Sequence, residues 1–577
     1  SPYRLVLSVV LMLAQATAMP LAAPATAALA DAALDRDVRG AATAACLVAV
    51  AVITALTAGH FAHIFHFELG ERAVLRLERE LIVLTSGSAE LHHYEQPEYA
   101  DQLQVLRQEL HRAAWGSVSA LLNGLSLLAA VSVTAVLLAR LDLLLLLLPL
   151  AAVPPLLFGR WAESIAATAR ERAAPRSRHC RHLFGLAARS ASAKELRVGG
   201  LGPELRARQR RAWDAASAEL WRGERQALVL RTAGQLVFAV AYVLGTLLVL
   251  RAAVEGRRSV GAILLVLVLA AQVNQQVTSV VTTLQEIQRT ARVMSSLRWI
   301  RGLLAAQEPP PADRELPELI RYGIELRDLS FAYPGTDRTV LAGIDLTLPA
   351  GSTVAIVGEN GAGKTTLVKL LLRFYRPSAG AVLLDGTDLQ RFPLERWRAR
   401  TTAGFQDFAQ FELVARECVG VGELSEVGSS RAVRDALERA HAEDVLHGLG
   451  NGLESQLGRS YADGTELSGG QWQKLALGRA MMRTAPLLLV LDEPTSALDA
   501  RSEHLLFERY AAAARRVSQR TGAITVLVSH RFSTVRMADL IVVVGDGRVK
   551  EHGSHDELMA TDGLYAELYR LQTAAYL

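Results

Sequence analysis

Cysteine is nearly missing from this chain. Its 577 residues include three, Cys46, Cys180 and Cys418, far apart and in no CxxC spacing. That argues against a disulfide framework or a thiolate zinc site, and it suits a reducing compartment. An excess of one charge is missing too. Lysine plus arginine number 62 against 58 aspartates and glutamates, a formal net charge of +4, which gives no signal for a nucleic-acid partner. Polar residues are also scarce. Hydrophobic residues make up 51% of the chain and mean hydropathy is +0.21, too high for an ordinary soluble protein of this size.

The apolar residues are concentrated in the first half. Long runs cover 4–30, 41–65, 115–139, 142–158, 227–250 and 259–283. Crossing a hydrocarbon core takes roughly 20 such residues, and 142–158 is near the lower limit of about 17. A stretch such as LDLLLLLLPLAAVPPLLF has no polar face for water, so a buried globular helix explains it poorly. Six crossings are predicted. The first run follows Arg4 and precedes A-x-A triplets, features shared with a secretory signal. It is longer than a typical signal core, however, and its removal would leave an odd number of spans.

Loop charge sets the orientation. Segments 31–40, 140–141 and 251–258 are short and carry few basic residues, whereas 159–226 is rich in arginine, including Arg170, Arg172, Arg206 and Arg211. The positive-inside rule assigns 159–226 to the cytoplasm, and with it 66–114 and both ends of the chain. Helical apolar spacing in ERAVLRLERELIVL predicts that these connections extend the membrane helices beyond the bilayer. His60, His63 and His66 end the second run; they fan over about 120° of a helix, which favours an interfacial helix end over a metal or proton site. The predicted membrane domain is 1–301. A proline-rich, charged linker follows at 302–321, and from 322 to 577 short apolar runs alternate with helical patterns. The fold class expected is an all-α six-helix transmembrane domain followed by an α/β P-loop NTPase domain.

Chemistry concentrates in that second domain. STVAIVG (352–358) reads as a buried strand that runs into Gly358-Glu-Asn-Gly-Ala-Gly-Lys-Thr-Thr366 and then into the helical LVKLLLRFY. This is the strand–loop–helix setting of a P-loop, whose glycines let backbone N–H groups converge on phosphates at a helix N-terminus. Gly358, Asn360, Gly361, Gly363, Lys364, Thr365 and Thr366 are therefore expected at the nucleotide, with Lys364 on the β- and γ-phosphates. PLLLVLDEP (486–494) reads as a central strand delivering two carboxylates at its C-terminal edge. Asp492 is expected to hold Mg²⁺ with Thr365, and Glu493 to act as general base toward the attacking water.

These residues describe an ATPase but leave TELSGGQWQK (465–474) unexplained. With that motif in view, the sequence resembles the ATP-binding cassette (ABC) transporter family, in its half-size exporters with the membrane domain placed first. The resemblance covers nearly the whole chain and rests on Tyr333 in FAYPG, Gln406 in GFQD, Leu467–Gln471 as LSGGQ, Ser496–Asp499 as SALD and His530 in VSHR. It implies that Tyr333 stacks on adenine, that Gln406 touches Mg²⁺ and the membrane-domain contact, and that His530 senses the γ-phosphate. It implies further that Ser468, Gly470 and Gln471 of a second chain cover the nucleotide, with Asp499 grouped among the nucleotide-binding residues. Short helices near 96–103 and 197–205 are expected to dock on nucleotide domains. ARECVGVG (415–422) departs from the family pattern, with Cys418 where asparagine is usual.

The resemblance implies ATP and Mg²⁺ as cofactors and a second half-transporter as partner. Glu493, Ser468, Gln406 and His530 are all present, which favours a homodimer and leaves a heterodimer open. Export of an amphipathic or hydrophobic cargo (lipid, drug, siderophore or modified peptide) is the leading expectation. An importer of the same architecture and a membrane-anchored regulatory ATPase are the alternatives. Arginine- and alanine-heavy composition points to a GC-rich bacterium, hence a multi-pass protein of the plasma membrane with its nucleotide domain in the cytoplasm. Gln272, Asn274, Gln275 and Gln276 should avoid lipid, facing either a cavity or neighbouring helices.

Overall fold

Runs with no face for water become helices far longer than a bilayer is thick. The computed structural model describes residues 2–151, 153–255, 258–307, 311–493, 520–529, 531 and 535–575. It separates into two compact units, one of Ser1–Val83 with Gln102–Trp299, the other of Leu84–Asp101 with Ile300–Leu577.

The first unit holds helices α1 (Pro2–Leu34), α2 (Val38–Ser86), α3 (Pro97–Leu141), α4 (Leu147–Leu150), α5 (Val153–Ala188), α6 (Ser190–Val198), α7 (Gly202–Val254) and α8 (Val260–Ala305), with parts of α2, α3 and α8 continuing into the second. Among the described residues, six helical stretches are long and apolar enough to cross a membrane. At 1.5 Å per residue, the 53 residues of α7 span roughly 80 Å, so most of its length lies outside a 30 Å core. The arginine-rich connection 159–226 is thus mainly helix.

One predicted span is interrupted. The run 142–158 is divided among a 3₁₀ turn at Leu143–Leu146, α4 and the start of α5. Asp142 accepts the Leu144 N–H at 2.9 Å to cap the turn, and Pro154 and Pro155 sit in the first turn of α5, where a missing N–H is no loss. Close packing of α5 on α7 uses small residues. A β-carbon at Gly223 would stand 2.3 Å from that of Ala169, and Ala162, Ala166 and Ala227 are buried beside them. Of the six candidate spans α8 is the most enclosed, its apolar window 44% buried against 11% for α2 and α7. At its N-terminus the Gly261 N–H donates to Asp31 Oδ1 at 2.7 Å, a carboxylate against the positive helix end.

The second unit is built on two sheets. One is antiparallel, ordered β2 (Thr339–Pro349), β1 (Gly323–Ala332), β4 (Ala379–Leu384), β5 (Thr387–Asp388). The other is ordered β10 (Arg548–Gly553), β9 (Leu540–Gly545), β3 (Thr353–Val357), β8 (Ile524–Val528), β7 (Leu488–Asp492), β6 (Thr401–Gly404) and is parallel except for β10. Every residue of β7 and β8 is buried, as expected of strands covered on both faces. α9 (Lys364–Leu371) follows β3. Next in the chain, α10 (Leu394–Ala399) packs Trp397 into the main core, and α11 (Ala415–Gly420), α12 (Ser430–Arg439), α13 (Glu443–His447) and α14 (Gly469–Ala480) form a smaller helical layer. Its core includes Val419, Val433, Leu437 and Trp472.

Two boundaries differ from the sequence reading. Helix α8 continues to Ala305, into the proposed linker. Leu84–Asp101, grouped by sequence with the membrane domain, packs with the cassette. Leu91 N–H donates to Phe374 O at 3.1 Å, Arg398 donates to Ala89 O, Arg376 pairs with Glu90, and Tyr375 Oη donates to Glu95 Oε1 at 2.7 Å. The polar contacts come from 89–95, and the packed stretch continues to Asp101, overlapping the expected 96–103. Pro97 already begins α3, a permitted first-turn proline.

Candidate nucleotide site

Strand ends position the chemistry. β3, β6, β7 and β8 run parallel, so their C-termini gather the P-loop, Phe405–Gln406, Asp492–Glu493 and Ser529 along one sheet edge, where open α/β sheets bind ligands.

The loop after β3 depends on glycine. Gly358 has φ +147°, and a β-carbon there would meet Val544 O at 2.0 Å. Gly363, with φ +104°, would strike the Leu341 side chain at 2.5 Å. Asn360 and Gly361 are exposed on the loop, and a β-carbon at Gly361 would touch nothing within 4 Å, so this face is open to a ligand. Lys364 is buried and folds across the loop, its Nζ donating to Gly358 O and Glu359 O at 2.9 Å each. Burial holds its pKa below the usual lysine value, with Glu493 and Asp492 pulling the other way. Thr366 is buried and shares a hydrogen bond with Tyr333 Oη at 3.1 Å. The Tyr333 ring lies edge-on to Phe331 and Tyr375, with Lys369 Nζ 5.3 Å from its centroid.

The two carboxylates differ. Asp492 is 2% exposed, and its Oδ1 is buried with no hydrogen-bond partner. Desolvation pushes its pKa up; a hydrogen bond with the Thr365 side chain opposes this, Glu493 and Asp407 add to it, and Lys364 counters it. An orphaned buried oxygen beside an exposed threonine hydroxyl fits a magnesium ion, which takes one or two carboxylates plus substrate phosphates rather than an all-protein cage. Glu493 sits at φ +48°, a left-handed conformation uncommon outside glycine. Its Oε2 accepts from Gln406 Nε2 at 2.7 Å. Sequence spacing gave no hint of this contact, because the partners follow different strands, β6 and β7.

The second glycine-rich loop is a helix cap. Ser468 Oγ accepts the Gln471 N–H at 3.3 Å while Gln471 Oε1 accepts the Ser468 N–H at 2.9 Å, a capping box that opens α14. Ser468 and Gly469 are exposed and Gly470 is partly exposed; a β-carbon at Gly469 would meet nothing within 4 Å. Farther along, Arg479 donates to Cys418 O at 3.0 Å and lies 4.1 Å from the Phe411 ring centroid. Cys418 is buried in the apolar cluster of this layer, and desolvation raises its thiol pKa. Asp499 and His530 lie outside the described residues.

In the first unit, His66 shares a hydrogen bond with Ser119 Oγ at 2.9 Å and packs near Trp115. Gln272 Nε2 donates to Met19 O and Gln276 Nε2 to Thr134 Oγ1, each at 3.0 Å, so both amides bond between helices.

Comparison with known proteins gives a family match, relatives and a likeness of fold. Residues 341–496 match the family model described as ABC transporter. ATP-dependent lipid A-core flippases are among the curated relatives. That of Chromobacterium violaceum is 40% identical over 296 residues, 50% of this chain and 48% of the relative. That of Bordetella pertussis is 40% identical over 268 residues, 46% and 41% respectively. The chain thus spans about half the length of the curated relatives it matches. Among solved structures, one titled "Structure of a bacterial Atm1-family ABC exporter with ATP bound" aligns with TM-score 0.83 over 99% of both chains at 23% identity, a likeness of fold.

Proposed function

We propose that this chain, an ABC transporter domain fused behind six membrane-crossing helices in the fold of an ABC exporter, works as half of a dimer that exports an amphipathic substrate using ATP hydrolysis. The observation that carries the reading is the convergence of Lys364, Asp492, Glu493 and Gln406 at one edge of the parallel sheet, beside a glycine loop with an open face.

In this reading, backbone N–H groups of 358–366 and the N-terminus of α9 cradle the phosphates, and Lys364 exchanges its two carbonyl partners for phosphate oxygens. Thr365 and Asp492 hold magnesium, which when bound supplies charge neutralisation at the phosphates. Glu493 orients and deprotonates the attacking water, with Gln406 fixing which carboxylate oxygen faces it. Ser468 of a second copy covers the nucleotide. Its oxygen already accepts from Gln471, so the hydroxyl proton is the part available to a phosphate. A homodimer supplies two such sites. The setting is a bacterial plasma membrane with the cassette in the cytoplasm.

Reconstitution tests all of this together. Inverted vesicles carrying the wild-type chain should accumulate cargo with ATP, while Glu493→Gln should retain ATP binding and lose at least about 100-fold in turnover. Depletion of cargo would mean import. Hydrolysis without flux would mean a regulatory ATPase.

A further inference from the structure

The amides of α8 lead to a feature that the cassette chemistry does not use. A cavity of about 670 Å³ lies within the first unit, walled by α1, α2, α3 and α8. That is well inside the roughly 300–1,000 Å³ of small-molecule sites. Its lining on α8 runs from Gln272, about 20 Å into the apolar run that begins at 259, to Thr283 at the end of that run. In the orientation set by the arginine-rich loops, the cavity extends from mid-bilayer to the cytoplasmic edge.

The wall is polar yet carries no charge. None of the residues lining the cavity is acidic or basic, and five are carboxamides: Gln15, Asn123, Gln272, Gln275 and Gln276. Hydroxyls among the lining turn back on their own helices, Ser126 donating to Leu122 O at 2.9 Å and Ser279 to Gln275 O at 3.1 Å. The amides do not. Gln272 and Gln276 are anchored through their NH₂ groups, and Gln272 Oε1 is left buried with no donor upon it. Gln15, Asn123 and Gln275 are exposed. The rest of the wall is apolar, with Met12 and Met19 providing surface that adapts to shape. Charges just beyond are paired: Glu286, one turn past Thr283, with Arg289, and Arg4 with Glu68.

We propose that this cavity binds an uncharged amphiphile whose head group both donates and accepts hydrogen bonds, glycosyl or amide in kind, and that it rejects ionised head groups. The inference rests on the transport reading above. Each carboxamide offers two donors and an acceptor oxygen without net charge, so it matches hydroxyls and amides. An anion or cation entering here would lose its hydration and meet no counter-charge, a far larger penalty than an uncharged group pays.

The test reconstitutes the full chain in phosphatidylcholine vesicles and follows ATP-dependent flux and stimulated hydrolysis. The probes are glucosyl-diacylglycerol, phosphatidic acid of the same acyl chains, and an N-acyl tripeptide amide with no charge. The glucosyl and peptide arms separate the two sources of uncharged head group. One or both should stimulate at concentrations at least tenfold below phosphatidic acid. Gln275→Leu should raise the half-maximal concentration of the uncharged probe by about tenfold, while Gln275→Arg should bring phosphatidic acid into the working range. Should Gln275→Leu not fold, Gln15→Leu asks the same question from α1. Equal or stronger response of the wild type to phosphatidic acid overturns the proposal and leaves the transporter reading standing. ATP hydrolysis with no flux of any probe overturns both.

Discussion

Asp492 is the residue where burial and chemistry conflict most openly. Its pKa in the fold is raised by desolvation, so its favourable contribution to stability is complete below the ordinary carboxylate pKa and is lost as pH rises through the folded value. Near neutral pH the unpaired oxygen is a penalty. Asp492→Asn should therefore stabilise the protein without magnesium or nucleotide by about 1–2 kcal/mol at pH 8, with the gain shrinking toward pH 4. Added Mg-ATP should raise the melting temperature of the wild type and leave the variant almost unmoved. Identical melting curves for the two across that pH range would count against the site. The P-loop residues around it were legible in sequence because a strand, a glycine loop and a helix start form one contiguous stretch. The Gln406–Glu493 hydrogen bond was not, since it requires knowing that β6 and β7 are neighbours. Cys418, unexplained in sequence, fills a buried slot beneath Arg479, and its raised thiol pKa makes it a poor nucleophile.

At the level of elements, the docked stretch 89–95 depends on tertiary contacts that no local pattern announces. Its residues carry no motif, and the expected 96–103 overlaps only the end of the packed stretch Leu84–Asp101. What holds it is a set of polar contacts centred on Phe374–Arg376, with Leu91 packed against the main cassette core. Tyr375 is instructive: burial first, then the hydrogen bond to Glu95, raise its hydroxyl pKa, so it stays protonated and donates. Glu95→Ala would leave that hydroxyl without its acceptor, a loss of about 1–2 kcal/mol. Substrate-stimulated hydrolysis should fall several-fold while basal hydrolysis persists. If stimulation were untouched, docking through Glu95 would have no part in coupling. Apolarity identified 142–158, which the helical stretch Leu143–Ala188 contains, but hydropathy does not show how its start divides into a 3₁₀ turn, α4 and α5.

For the whole molecule, the division into a lipid-seeking half and a water-seeking half was readable because each half's composition excludes the other's solvent. The exact border was not, because helices α2, α3 and α8 run through it without a break. No glycine or proline occurs in α2 between Gly70 and Ser86, nor in α3 between Pro97 and Gly116. Replacing Leu84 and Thr85 by two glycines should weaken α2 locally by about 1–2 kcal/mol. The expected result is ATP turnover near wild type with vesicle flux reduced at least tenfold; unimpaired flux would show that the border need not be stiff. A long helix without a glycine or proline hinge carries a tilt at one end to the other with little loss. The 49 residues of α2 reach about 70 Å, so a tilt of about 5° sweeps the far tip through about 6 Å, more than the width of a methylene chain.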